Sequence, residues 1–110
     1  MPRHASDLLH GTLDVLILKT LSWDAMHGYA IAEWIEKRAG GELVIVDAAL
    51  YKALHRLEDG GSITSEWGLS DNNRRARYYS LTARGRAQLR AQAATWKRYA
   101  LAVHRILETA

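Results

Sequence analysis

The chain predicts a mainly α-helical fold with one small β-hairpin and a long C-terminal helix. Three observations carry that expectation. Leu50, Leu54 and Leu57 recur at helical spacing directly ahead of two runs rich in β-branched and aromatic residues. Those runs are joined by a segment holding Gly68, Asn72, Asn73 and Arg74, residue types that favour a loop or turn. From Thr82 onward the chain holds a single glycine, Gly85, and no proline. A helix able to enter a DNA groove, followed at once by a basic hairpin able to lie on the adjacent phosphates, is the arrangement of a winged helix-turn-helix.

The bulk numbers allow this and exclude several alternatives. At 110 residues the chain suffices for one domain with a small core. Its 48% hydrophobic and 25% charged content is that of an ordinary globular protein. No run approaches the roughly 18 apolar residues of a membrane span; Leu13 to Leu21 is broken by Asp14, Lys19 and Thr20. The opening MPRHASD lacks the apolar stretch of a secretion signal. The absence of cysteine excludes disulfides and thiol chemistry and fits a cytoplasmic setting. A net charge of +3 permits an anionic partner. Its placement says more, because Arg74, Arg75 and Arg77 crowd together with Lys52, His55 and Arg56 a short way upstream.

Taken in order, Leu9, Leu13, Leu16, Ile17, Thr20 and Leu21 have helical spacing, with Ser6 or Asp7 as the cap. A second helix is expected from His27 or Gly28 to about Arg38, stopped by Gly40 and Gly41. Glu42 to Val46 is short and β-branched and predicts a strand. Asp47 stands where an N-cap belongs for a third helix reaching about Glu58, ended by Gly60 and Gly61. Ile63 to Trp67 and Arg75 to Leu81 predict a hairpin. Strict alternation places Arg75 and Arg77 on the face of Tyr79 and Leu81, which requires the outer hairpin to project past the core. Trp23 and Trp34 are expected to pack in the core, and Trp67 against the body.

Thr82 can cap the last helix, expected to run to about Glu108. There Leu89, Ala93, Trp96, Ala100, Val103 and Leu107 form a coiled-coil seam. About 26 residues at about 1.5 Å each give a helix of about 39 Å, longer than so small a body can cover. A homodimer follows, with residues 1–81 as the winged domain and 82–110 as the dimerisation helix, compact with the first helix. In a symmetric dimer Trp96 can meet its mate. With Tyr99 near it and small Ala93 and Ala100 on either side, it frames a candidate pocket for a small aromatic or hydrophobic effector; filling the interface is the plainer role.

Three segments together resemble the PadR family of bacterial transcriptional regulators, in its short subfamily with a single C-terminal helix. They are Leu9-His10-Gly11-Thr12-Leu13 with His27-Gly28-Tyr29, then Leu50 to Glu58, then Arg74 to Gly85 (RRARYYSLTARG). The resemblance implies a winged-helix homodimer on palindromic operator DNA, usually a repressor, released in some members by a small molecule. Two places depart from the family pattern. Ala49 and Lys52 stand where a hydroxyl residue and often a proline flank the Leu-Tyr pair, and Ser62 replaces a bulky apolar residue, which predicts a looser start to the hairpin.

Lys and Arg supply sequence-independent affinity for double-stranded DNA, and contacts to base edges supply discrimination. Arg74, Arg75 and Arg77, with Asn72 and Asn73 at the tip, are assigned to phosphate or minor-groove contact. Lys52, His55 and Arg56 are assigned to the groove, where Ala48 and Ala49 permit close approach and the Tyr51 hydroxyl can reach a phosphate. His55 can equally pair with Asp59 one turn on. The histidines (His4, His10, His27, His55, His104) show no metal-ligand spacing with a carboxylate between, no phosphate loop occurs, and neither an enzyme nor a cofactor is expected. The alternative is a winged-helix protein-interaction module that leaves DNA alone.

Overall fold

The computed structural model describes residues 5–110, with side chains from Gly11 onward. The expected cap at Ser6 or Asp7, the packing of Leu9, and His4 and His10 lie outside the described residues and side chains. The elements are α1 (Ala5–Leu21), β1 (Met26–His27), α2 (Gly28–Arg38), α3 (Asp47–Asp59), β2 (Ile63–Leu69), β3 (Arg75–Leu81) and α4 (Ala83–Leu107). The strands form one antiparallel sheet in the order β1-β3-β2. The chain is a winged helix-turn-helix with a long terminal helix.

One core joins these elements. Leu13, Ile17, Leu18 and Leu21 of α1 meet Ile31 and Ile35 of α2, Leu50, Ala53, Leu54 and Leu57 of α3, and Ile63 and Tyr79 of the hairpin. The leucine stripe of α3 faces inward because burying each such side chain contributes about 1.5–3 kcal/mol. The opposite face of that helix is thereby turned to solvent. At the hairpin base Tyr79 is buried, and desolvation holds its hydroxyl neutral beyond the ordinary range. Farther out on the same face Arg77 and Arg75 are exposed, so the wing projects past the core as the alternation requires.

Four expectations are corrected. Glu42–Val46 is a loop, not a strand, because β1 and β2 already take both edges of β3. Its Ile45 packs on the core instead, and the Ile45 N–H is held by the Glu36 carboxylate at 2.7 Å. Asp47 is the first residue of α3, and Val46 occupies the cap position without any side-chain bond. Trp23 is 68% exposed, with the Lys19 ammonium over its ring, whereas Trp34 does pack on the core. The hairpin start is not loose. Ser62 is buried, its N–H bonds to Leu57, its carbonyl accepts from Thr82, and its hydroxyl bonds to Gln88 of α4.

That last set of bonds forms a rigid joint between the hairpin and α4. Thr82 caps α4, accepting from the Gly85 N–H at 3.0 Å, while its hydroxyl lies 2.7 Å from the Gly61 carbonyl oxygen. Gly85 is buried beneath this turn, and a β-carbon there would stand 2.1 Å from the Ser62 carbonyl oxygen. Backbone cannot yield as a side chain can. Gly85→Ala is therefore expected to cost at least about 2–3 kcal/mol, the upper range for overpacking. A thermal melt showing an unchanged midpoint would refute the joint.

Candidate nucleic-acid interface

The exposed face of α3 carries Ala48, Tyr51, Lys52 and His55, while Ala49 is half-buried against the core. Its basic residues, Lys52, His55 and Arg56, are not equivalent. Lys52 has no partner among the described residues. His55 lies 3.4 Å from Asp59, the pairing expected at that spacing. Arg56 reaches back to α1, its guanidinium 2.6 Å from the Asp14 carboxylate. That Asp14 side chain is only 15% exposed, so Arg56 anchors α3 to α1 as well as presenting charge.

The wing divides in the same way. Asn73 adopts φ 60°, the left-handed conformation that asparagine tolerates, and closes the turn with its N–H on the Ser70 carbonyl at 2.8 Å. Asn72, Asn73 and Arg74 are exposed at this tip. Across the strands Trp67 pairs with Arg77, and Leu69 with Arg75. Trp67 is not packed on the body. It is 55% exposed, and the Arg75 and Arg77 guanidinium groups lie 4.5 and 5.5 Å from its ring centroid. Arg77 also donates to the Ser65 hydroxyl at 2.7 Å and lies 3.5 Å from Glu58, while Ser65 donates to Glu58 at 2.5 Å. This closed set braces the wing against the end of α3. A partly exposed ion pair is worth about 0–1 kcal/mol, so a phosphate can still recruit Arg77 at small cost.

Between the start of α2 and the wing lies a groove of about 670 Å³, walled by Tyr29 and Glu33 of α2 and Tyr51 of α3 on one side and by Trp67, Arg74, Arg75 and Arg77 on the other. Its shape depends on Gly28. A β-carbon at Gly28 would stand 2.6 Å from the Tyr51 hydroxyl and 2.9 Å from its ring. The bare glycine lets Tyr51 lie across the start of α2. His27 closes the same corner: its Nδ1 accepts the Ala30 N–H at 3.2 Å, and its ring meets Tyr78 edge-on. Sequence reasoning missed Trp67 and the Gly28–Tyr51 contact as parts of this site. Strand register could have found the first, since a β2 aromatic directly opposite a β3 arginine is a cross-strand pair.

The second candidate surface lies between α1 and α4. The seam runs from Leu89, packed against the core, to Leu107, which is 76% exposed. A groove of about 750 Å³ opens here, lined by Val15 of α1 and by Trp96, Tyr99, Ala100, Val103 and Leu107 of α4. Trp96 is held across it, its indole N–H donating to the Thr12 hydroxyl at 3.1 Å. Among the described residues no three metal-ligating side chains cluster, and no helix is long and apolar enough to cross a membrane.

An exposed helix face beside a basic wing defines a winged-helix DNA-binding protein, and comparison with known proteins narrows the class. Residues 17–91 match the model of the transcriptional regulator PadR-like family. An uncharacterised protein of Lysinibacillus sphaericus, protein X, is 34% identical over 92 residues, covering 83% of this chain and 84% of that one. A transcriptional regulator from Clostridium thermocellum superposes with a TM-score of 0.83 at 27% identity, over 93% of this chain and 99% of that one. A PadR family transcriptional regulator from Eggerthella lenta does so with a TM-score of 0.77 at 31% identity, over 94% and 88%. The chain belongs to the PadR family. It is accordingly a DNA-binding transcription regulator and not an enzyme.

If Gly28 serves Tyr51, their substitutions should not add. Gly28→Ala is expected to weaken DNA binding about as much as Tyr51→Ala, and to cost almost nothing further when both are combined. Gel-shift titration of the three variants measures this. Additive losses would separate the two residues.

Proposed function

We propose that the chain acts in the cytoplasm as a homodimeric repressor on a palindromic operator, with α3 in the major groove and the wing on the flanking backbone or minor groove. Ala48, Ala49, Tyr51, Lys52, His55 and Arg56 supply the groove face, and Asn72, Asn73, Arg74, Arg75 and Arg77 the wing face. One observation carries the reading: Tyr51 of the exposed α3 face and Arg74, Arg75 and Arg77 of the wing line one groove, so a duplex strand can be met by both elements. The usual role of family members supports repression.

The dimer rests on α4. Its 25 residues span about 38 Å at about 1.5 Å each. Val103, Ile106 and Leu107 are exposed along its end, and α1 together with α4 leaves an apolar groove beside them. A second copy would cover this surface through Leu89, Ala93, Trp96, Ala100, Val103 and Leu107. We further propose that a small aromatic or hydrophobic effector enters at Trp96 and Tyr99 and releases the DNA. Space beside an indole already held by Thr12 supports this.

Two experiments test the reading. Arg74→Ala with Arg75→Ala should weaken binding to every duplex and reduce the slope of log K against log salt by about 1.8, from about 0.9 for each phosphate that is no longer neutralised. An unchanged slope removes the wing from the interface. Planar apolar compounds should quench the folded dimer's fluorescence and lower operator affinity in the parent, and do neither in Trp96→Phe. Equal quenching in both proteins moves the effector away from α4.

A further inference from the structure

Val44 and Val46, in the segment leading into α3, are 81% and 62% exposed. Single exposed apolar residues are commonplace, so exposure decides nothing alone. Their setting decides more. Ile45 between them packs on the core, and its N–H is bound to Glu36, so the segment is anchored. Val46 also occupies the cap position of α3 and makes no side-chain bond there. Serine, threonine, asparagine or aspartate at that place would stabilise the helix. A valine therefore forgoes local stability while leaving most of its own surface in water.

The neighbouring chemistry indicates what such a surface fits. The next exposed residues are Asp47 and Ala48, and the first cation on the helix is Lys52. A phosphate is repelled by Asp47 at this end. The floor of the major groove offers what the end lacks partners for, namely thymine methyl groups for apolar side chains and cytosine amines for a carboxylate. Val44, Val46 and Asp47 are not among the residues lining the groove that the wing arginines border, which fits a division between phosphate holding and base reading.

We propose that Val46, with Val44 beside it, is a specificity-determining contact that packs on thymine 5-methyl groups in the major groove. This rests on the reading that α3 enters the groove. It adds residues outside the helix to the contact surface and assigns them a base feature.

The test uses the full chain and an operator duplex that it enriches from random sequence. Each thymine is replaced in turn by deoxyuridine, which removes only the 5-methyl group. The parent is expected to lose about fourfold in affinity at one or two positions in each half-site, the ratio for burying one methyl-sized group. Val46→Ser should lose that sensitivity, keep its salt slope, and melt at a higher temperature because serine caps α3. Val44→Ser should lose sensitivity at a neighbouring position or at the same one. Thymine sensitivity that survives in both variants, or is absent from a parent that still selects its operator, overturns the proposal. A parent that enriches no sequence overturns the DNA reading itself and takes this inference with it.

Discussion

Burial of one leucine stripe governs the remaining geometry of this molecule. Leu50, Leu54 and Leu57 lie on a single side of α3 and are nearly inaccessible against α1, α2 and the hairpin base. A helix so anchored cannot roll without exposing several kcal/mol of apolar surface. Ala48, Tyr51, Lys52 and His55 are outward because the leucines are inward. The presented face is a consequence of the core.

Two close backbone approaches convert that anchored helix into a framed surface. At one end Gly28 admits the Tyr51 ring over the start of α2; at the other Gly85 admits the Ser62 carbonyl beneath the first turn of α4. The first shapes the groove beside the wing. The second fixes the direction in which α4 leaves the body, and with it the position of the apolar groove between α1 and α4. Thr82, Ser62 and Gln88 tie the first turns of α4 to the turn that follows α3. Both glycines are needed for space, not for backbone freedom.

The basic residues are graded rather than pooled. Arg74 and Lys52 stand free among the described residues, Arg75 lies on Trp67, and Arg77 and Arg56 are braced by Glu58 and Asp14. Cation–π contacts and partly exposed ion pairs are each worth about 1 kcal/mol or less. They orient guanidinium groups without withholding them from a phosphate. Such preordering lowers the side-chain entropy lost when a partner arrives.

Much of this was legible in the residues themselves. Helical periodicity, the cap at Thr82, both hairpin strands and the cationic wing all depend on neighbours a few positions apart, and local patterning records them. The family was legible for a related reason, since its motifs mark the tight approaches that the fold requires. Other features belong to the tertiary structure alone. Glu42–Val46 has strand composition, yet a sheet edge must be vacant for a strand to form, and Met26–His27 takes it. Trp23 has core composition but lies beyond the end of α1, where it stays 68% exposed. Arg56 and Arg77 read as free cations in the sequence, and only the packing of α3 against α1 and the hairpin brings Asp14 and Glu58 within reach of them. Charge and periodicity are properties of the chain, whereas vacancy and partnership exist only once distant segments have met.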